Sequence, residues 1–173
     1  METTKKEELA IVKRLSDNKY NFLDANGKLL FDKWFDWAGS FQDGFVRVAR
    51  DGKYNFIGKD GKLLSDKWFE FADVFRDGFS LIQREDGLQN YIDTKGNILS
   101  DKWFEWLDYF KGEFARVKRA NGEYNYIDTK GKILSSEWFR YADYFDEYDL
   151  AEVYRTNGEQ CKIDKNGKIV VRK

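Results

Sequence analysis

Proline and histidine are both absent from this chain, and cysteine occurs once, as Cys161. Each absence removes a class of function. Without histidine, the commonest general base and the commonest metal ligand are missing. Ser-His-Asp and Cys-His arrangements cannot be built. One cysteine without histidine excludes the usual zinc sites. A lone cysteine also allows no intrachain disulfide, which permits a reducing compartment. No apolar run approaches the length needed to cross a membrane. The opening residues, Met1 to Glu8, hold no apolar core of a secretory signal. An excess of either charge is lacking too: 30 basic residues face 31 acidic ones, a net charge of -1. That balance gives no basic footprint for nucleic acid and no reason to expect an anionic membrane as partner. The expectation is a soluble, cytoplasmic monomer with no cofactor and no metal.

What is present is aromatic and periodic. Phe, Tyr and Trp make up 18% of the chain. A Trp-Phe pair recurs at Trp34-Phe35, Trp68-Phe69, Trp103-Phe104 and Trp138-Phe139, about every 35 residues. A fixed period of this size means one supersecondary unit copied in tandem. Repeat arrays present extended surfaces and more often bind than catalyse.

Each unit divides into four segments, A to D. Segment A alternates, as in Phe45-Val46-Arg47-Val48-Ala49-Arg50, and reads as a strand. It ends at Asp51-Gly52, Asp86-Gly87, Asn121-Gly122 or Asn157-Gly158, which predict type I′ hairpins. Segment B is an aromatic-rich strand: Tyr20-Asn21-Phe22-Leu23, Tyr54-Asn55-Phe56-Ile57, Tyr124-Asn125-Tyr126-Ile127. A second turn with Gly27, Gly61, Gly96, Gly131 or Gly167 leads to the short segment C, such as Leu63-Leu64. Segment D follows a polar Ser-Asp-Lys step. In it Trp68, Phe71, Ala72 and Phe75 have helical spacing. Its shortness and aromatic content favour a bent or bulged strand over a helical turn.

The fold class expected is therefore all-β: tandem β-meander repeats of about 35 residues, stacked into an open, curved, solenoid-like array. The alternative is propeller-like closure. The expected domain runs from 8 to 173, in units of about 8–41, 45–75, 79–110, 114–145 and a partial capping unit, 149–173. Residues 1–7 are an N-terminal extension. The array begins at its own segment A, so it supplies no spare strand to close a ring. Its last segment B carries Gln160 and Lys162 where other copies hold aromatics, as a capping repeat requires.

Three rows of residues recur in register. Trp34, Trp68, Trp103 and Trp138, with Phe41, Phe75, Phe110 and Phe145, read as packing between repeats. Trp37, Phe71, Trp106 and Tyr141 vary in type while staying aromatic. Core packing is the first reading of this row, on one face with the Trp-Phe phenylalanines; a binding surface is the second. Arg14, Arg50, Arg84, Arg119 and Arg155 close segment A. With Asp24, Asp93, Asp128 and Asp164 they predict a ladder of ion pairs across each A–B hairpin. Their alternative role is a stripe for anionic ligands. The candidate binding residues are thus Trp37, Phe71, Trp106, Tyr141, Arg50, Arg84, Arg119 and Arg155. No catalytic, cofactor-binding or metal-binding residue is assigned.

The succession Gly-Phe-x-x-Val, Gly-Lys-Tyr-Asn-Phe-Ile, Asp-Gly-Lys-Leu-Leu and Trp-Phe-x-x-Ala-x-x-Phe resembles the WG repeat family, also called KWG, of bacterial proteins. The resemblance spans about residues 8 to 173. The Trp-Gly of that repeat is here Tyr-Asn, at Tyr20-Asn21, Tyr54-Asn55 and Tyr124-Asn125. It implies a β-rich array that interacts with other proteins, and it carries no catalytic motif. A carbohydrate-binding module using the variable aromatic row is the alternative. An inhibitor of a host protein, encoded by a phage or mobile element, is a further one.

Overall fold

The computed structural model describes residues 9–170. The expected N-terminal extension, 1–7, and the last residue of the final segment C, at 171, lie outside the described residues. Among the described residues every regular element is a strand, and the strands form small antiparallel sheets. The first sheet pairs β1 (Ala10–Lys13) with β2 (Tyr20–Leu23). The second holds β3 (Trp37–Gln42), β4 (Phe45–Arg50) and β5 (Lys53–Gly58). The third holds β6 (Phe71–Ala72), β7 (Phe79–Gln83) and β8 (Gln89–Asp93). The fourth holds β9 (Trp106–Leu107), β10 (Phe114–Lys118) and β11 (Tyr124–Asp128). The fifth holds β12 (Tyr141–Ala142), β13 (Leu150–Tyr154), β14 (Gln160–Asp164) and β15 (Ile169–Val170).

Segment D is a strand, and it belongs to the sheet that follows it. The hydrogen-bonded unit is D-A-B-C, and the Trp-Phe dipeptide is the crossing point. Phe35 exchanges two backbone hydrogen bonds of 2.8 Å with Tyr20 of the first sheet. The next residue, Asp36, donates its amide to Ala49 of the second sheet at 2.8 Å. The pattern repeats at Phe69 and Glu70, Phe104 and Glu105, and Phe139 and Arg140. A large apolar side chain at the crossing anchors it: Phe35, Phe69, Phe104 and Phe139 are all buried. In β3 the ladder shifts register between Ala38 and Phe41, a bulge of the kind anticipated for segment D.

The turns divide by loop length. Asp51 and Gly52 both have positive φ, 53° and 77°, as a type I′ turn demands. Asn121-Gly122 and Asn157-Gly158 do not follow the same rule. Each loop there is one residue longer, and only the glycine is left-handed. Gly122 donates to Arg119 and Arg119 to Glu123, the bonds of a three-residue loop closed by a bulge. At the B–C turn the aspartate makes the local bonds. Asp128 Oδ1 accepts from the amides of Lys130 and Lys132 at 2.9 and 2.8 Å, and Asp24, Asp93 and Asp164 do the same.

The second residue of segment B is a buried asparagine. Asn125 donates Nδ2 to the carbonyls of Ser135 and Glu137, both at 2.9 Å, and its Oδ1 accepts the Tyr126 amide at 2.8 Å. Asn55 and Asn90 make the same set, and Asn21 one bond fewer. These bonds staple the polar step before Trp-Phe onto the centre of each sheet. In the last repeat Cys161, also buried, holds this position.

Two compact units partition the chain. One runs to Glu85 and includes Ile92–Asn97; the other comprises Asp86–Tyr91 and the chain from Ile98 onward. The boundary falls within β8. The core of the first is built by Phe22, Phe35, Val46, Val48 and Ile57. Tyr126, Phe139, Ala151, Val153 and Ile163 build that of the second. Within each unit the B–C turn glycine of one repeat is seated on segment C of the repeat before it: Gly96 on the Leu64 carbonyl, Gly131 on the Leu99 carbonyl, Gly167 on the Leu134 carbonyl.

Candidate functional site

The variable aromatics of segment D lie at the surface, not in the core. Trp37 is 39% exposed, Phe71 42% and Tyr141 44%, while Trp106 is half-buried. The core reading of this row fails because the chain crosses between sheets at Trp-Phe. Phe35 is fully buried, yet Trp37, two residues on, opens the next sheet on its outer strand. Three of these rings are steadied from the side. Phe71 meets Tyr54 edge-on at 6.5 Å, Trp106 meets Tyr124 at 6.3 Å and Tyr141 meets Tyr154 at 5.8 Å. Rings held this way lose little ordering entropy on binding. Beside Tyr141 and Tyr154 an open hollow of about 620 Å³ is lined also by Arg140, Asp143 and Glu152.

Among the described residues, Arg14, Arg50, Arg119 and Arg155 form no ladder with Asp24, Asp93, Asp128 and Asp164. An antiparallel hairpin sets the end of one strand against the start of the next. Arg50 therefore faces Lys53, and Asp128 faces Phe114 at the far end. Three of the arginines instead lie over the Trp-Phe aromatics. Arg14 is 4.4 Å from the Trp34 ring, Arg119 is 4.7 Å from Trp138, and Arg50 is 4.4 Å from Phe35 and 5.1 Å from Trp68. Neighbouring carboxylates complete the shell. Arg119 pairs with Glu123, whose carboxyl is held below its ordinary value by that hydrogen bond. Arg155 pairs with Glu137 at 3.0 Å and Glu159 at 2.8 Å. Arg84 is exposed in the same register. The guanidiniums of Arg14, Arg50 and Arg119 prop the Trp-Phe crossing.

One polar cluster does not recur. Arg116 donates Nε and Nη2 to Asp108 Oδ2 at 3.1 and 2.7 Å, and the Tyr144 hydroxyl donates to the same oxygen. The Arg116 guanidinium lies 3.8 Å from the Tyr144 ring centre, and Lys111 Nζ lies 3.2 Å from it. Burial pushes the Asp108 carboxyl upward; the Tyr144 and Arg116 hydrogen bonds outweigh it and hold the group below its ordinary value. The sequence reading missed this cluster. Its signal was the middle of segment A, where Arg47, Leu81, Arg116 and Glu152 break an otherwise apolar or uniform register.

These features define a tandem β-repeat protein whose recurrent charges are engaged in turns and repeat packing. Residues 22–54 and 91–124 match the WG containing repeat, the type the sequence resembles. No curated protein matches the chain. Solved structures similar to it include the computationally designed Ika8 protein, at 16% identity over 95% of this chain and 60% of that one, TM-score 0.39. BamB from Moraxella catarrhalis is 14% identical over 96% of this chain and 61% of its own, TM-score 0.37. Hsv2p from Kluyveromyces lactis is 8% identical over 96% and 63%, TM-score 0.42. The chain spans about six tenths of the length of these structures.

Proposed function

We propose that this chain is a non-catalytic, cytoplasmic binding protein that recognises another protein through the exposed aromatics of its outer strands. The observation that carries this reading is the placement of Trp37, Phe71 and Tyr141. Each is a large ring, about two fifths exposed, at the same register of a repeat. Partly exposed aromatics on a rigid frame are the residue type that dominates protein interfaces. The recurrent B–C turn aspartates, Asp24, Asp93, Asp128 and Asp164, accept turn amides, a structural use that supports a non-catalytic reading. A glycan is the second reading. It is favoured by the hollow at Tyr141 and Tyr154, where two rings stand beside Asp143 and Glu152.

The test is capture from lysate with the immobilised protein, followed by reconstitution of any captured protein in purified form. A saturable one-to-one complex that survives an excess of soluble oligosaccharides supports the protein reading. Displacement by an oligosaccharide that also quenches tryptophan fluorescence supports the glycan reading.

A further inference from the structure

Arg47 and Arg116 hold the same register in β4 and β10. Each donates Nη1 to the alanine carbonyl of the next short strand, Ala72 at 2.6 Å and Ala142 at 3.1 Å. Each lies over the tryptophan that opens its own sheet, Trp37 at 5.2 Å and Trp106 at 5.7 Å. There the likeness stops. Around Arg116 the remaining donors are taken by Asp108, and the Tyr144 ring covers the guanidinium. At the matching positions around Arg47 stand Gly39 and Val74, which bring neither a carboxylate nor a ring. Arg47 Nε is buried and has no hydrogen-bond partner among the described residues.

The space so left is a cleft of about 250 Å³, lined by Trp37, Gly39, Ser40, Gln42, Arg47 and Val74 among others, none of them acidic. A half-buried guanidinium whose buried Nε–H is unused favours an anionic partner. The chain itself displays that partner two repeats further on: in the Arg116 cluster a carboxylate, capped by a hydroxyl, fills the equivalent place. We propose that the Arg47 cleft is a binding site for a carboxylate supplied from outside the chain. The acid accepts from Arg47 Nε and Nη2 as Asp108 does from Arg116, with the Trp37 ring as one wall and Ser40 and Gln42 at the polar rim. The volume fits a group the size of an acidic side chain. A free acid and a glutamate or aspartate on a protein share this chemistry. The site goes beyond the partner-binding reading above and holds for either source.

The test follows the Arg47 Nε–H resonance by nuclear magnetic resonance, assigned by its loss in Arg47→Lys. The probes are N-acetyl-glutamate N-methylamide, its glutamine counterpart, sodium acetate, inorganic phosphate, and a glutamate-centred hexapeptide. A saturable shift with the glutamate probe, at least about tenfold tighter than with glutamine, is expected. Acetate matching the hexapeptide assigns the site to free acids; a tighter hexapeptide assigns it to acidic side chains. The variant Gly39→Asp supplies the carboxylate from within, as Asp108 does. Gly39 is not in the left-handed region, and the added Cβ presses on the outer end of the Trp37 ring, 2.9 Å away. This variant should abolish the response without touching Arg47. Equal shifts with glutamate and glutamine, tighter binding of phosphate, or an undiminished response in a folded Gly39→Asp protein would overturn the proposal.

Discussion

Gly131 sits directly against the backbone of Leu99, so that a Cβ added to it would lie 2.0 Å from the Leu99 carbonyl oxygen. The glycine belongs to one repeat and the carbonyl to the repeat before it. A main-chain atom cannot swing away as a side chain can, so this contact fixes how closely successive repeats stack. Gly122 serves as its internal control. Its φ of 86° matches the 84° of Gly131, but nothing lies within 4 Å of its added Cβ.

Both glycines are left-handed, so replacing either with alanine costs about 1–2 kcal/mol of backbone strain. Gly131→Ala adds the clash with Leu99. Urea unfolding should show Gly122→Ala losing about 1–2 kcal/mol and Gly131→Ala losing more than twice that. Equal losses would mean that the stacking contact carries no energy.

Asn125 is fully buried and makes three backbone hydrogen bonds of 2.8–2.9 Å and a longer one, 3.3 Å, from the Ser135 amide. Asn125→Ala strands the carbonyls of Ser135 and Glu137 and the amide of Tyr126. The expected loss is about 2–4 kcal/mol, given about 1–3 kcal/mol for each buried group left without a partner and partial access of water. Hydrogen exchange at residues 135–138 should accelerate before exchange in β10. Uniform acceleration through the unit would contradict a local staple.

Asp108 makes stability depend on acid. Its carboxyl lies below the ordinary value in the folded chain. The folded state therefore binds fewer protons than the unfolded state around the ordinary aspartate pKa of about 3.9. The contribution is complete above that value and is lost as pH falls through the lower, folded one. Asp108→Asn should destabilise the protein at pH 7 by about 1–3 kcal/mol. The gap between variant and wild type should narrow on titration below about pH 4. A gap independent of pH would remove the charge from the account.

The repeat, its strands and its turns were legible because Trp-Phe, the glycines and the alternation of segment A are local signals. Which sheet each strand joins was not. Phe35 and Asp36 are adjacent in sequence yet pair with Tyr20 and Ala49, and no periodicity marks that crossing. The same crossing put Trp37 at the surface while Phe35 stayed in the core. The arginine ladder was drawn from shared recurrence, whereas strand polarity places Arg119 and Asp128 at opposite ends of one hairpin. The Arg116 cluster was hidden because a search for repeats discounts what occurs once. The clue was the middle of segment A, where Arg116 stands in the register that Leu81 and Glu152 hold in the neighbouring repeats.

The most direct test of the binding account is the affinity of a purified, captured partner for the double variant Phe71→Ser, Tyr141→Ser, measured by titration calorimetry. Circular dichroism should match wild type, because both rings are about two fifths exposed. The account predicts at least about a tenfold weakening, the loss of about 1.4 kcal/mol expected when interface aromatics are removed. Unchanged affinity in the folded variant would contradict it and move the binding surface away from the outer strands.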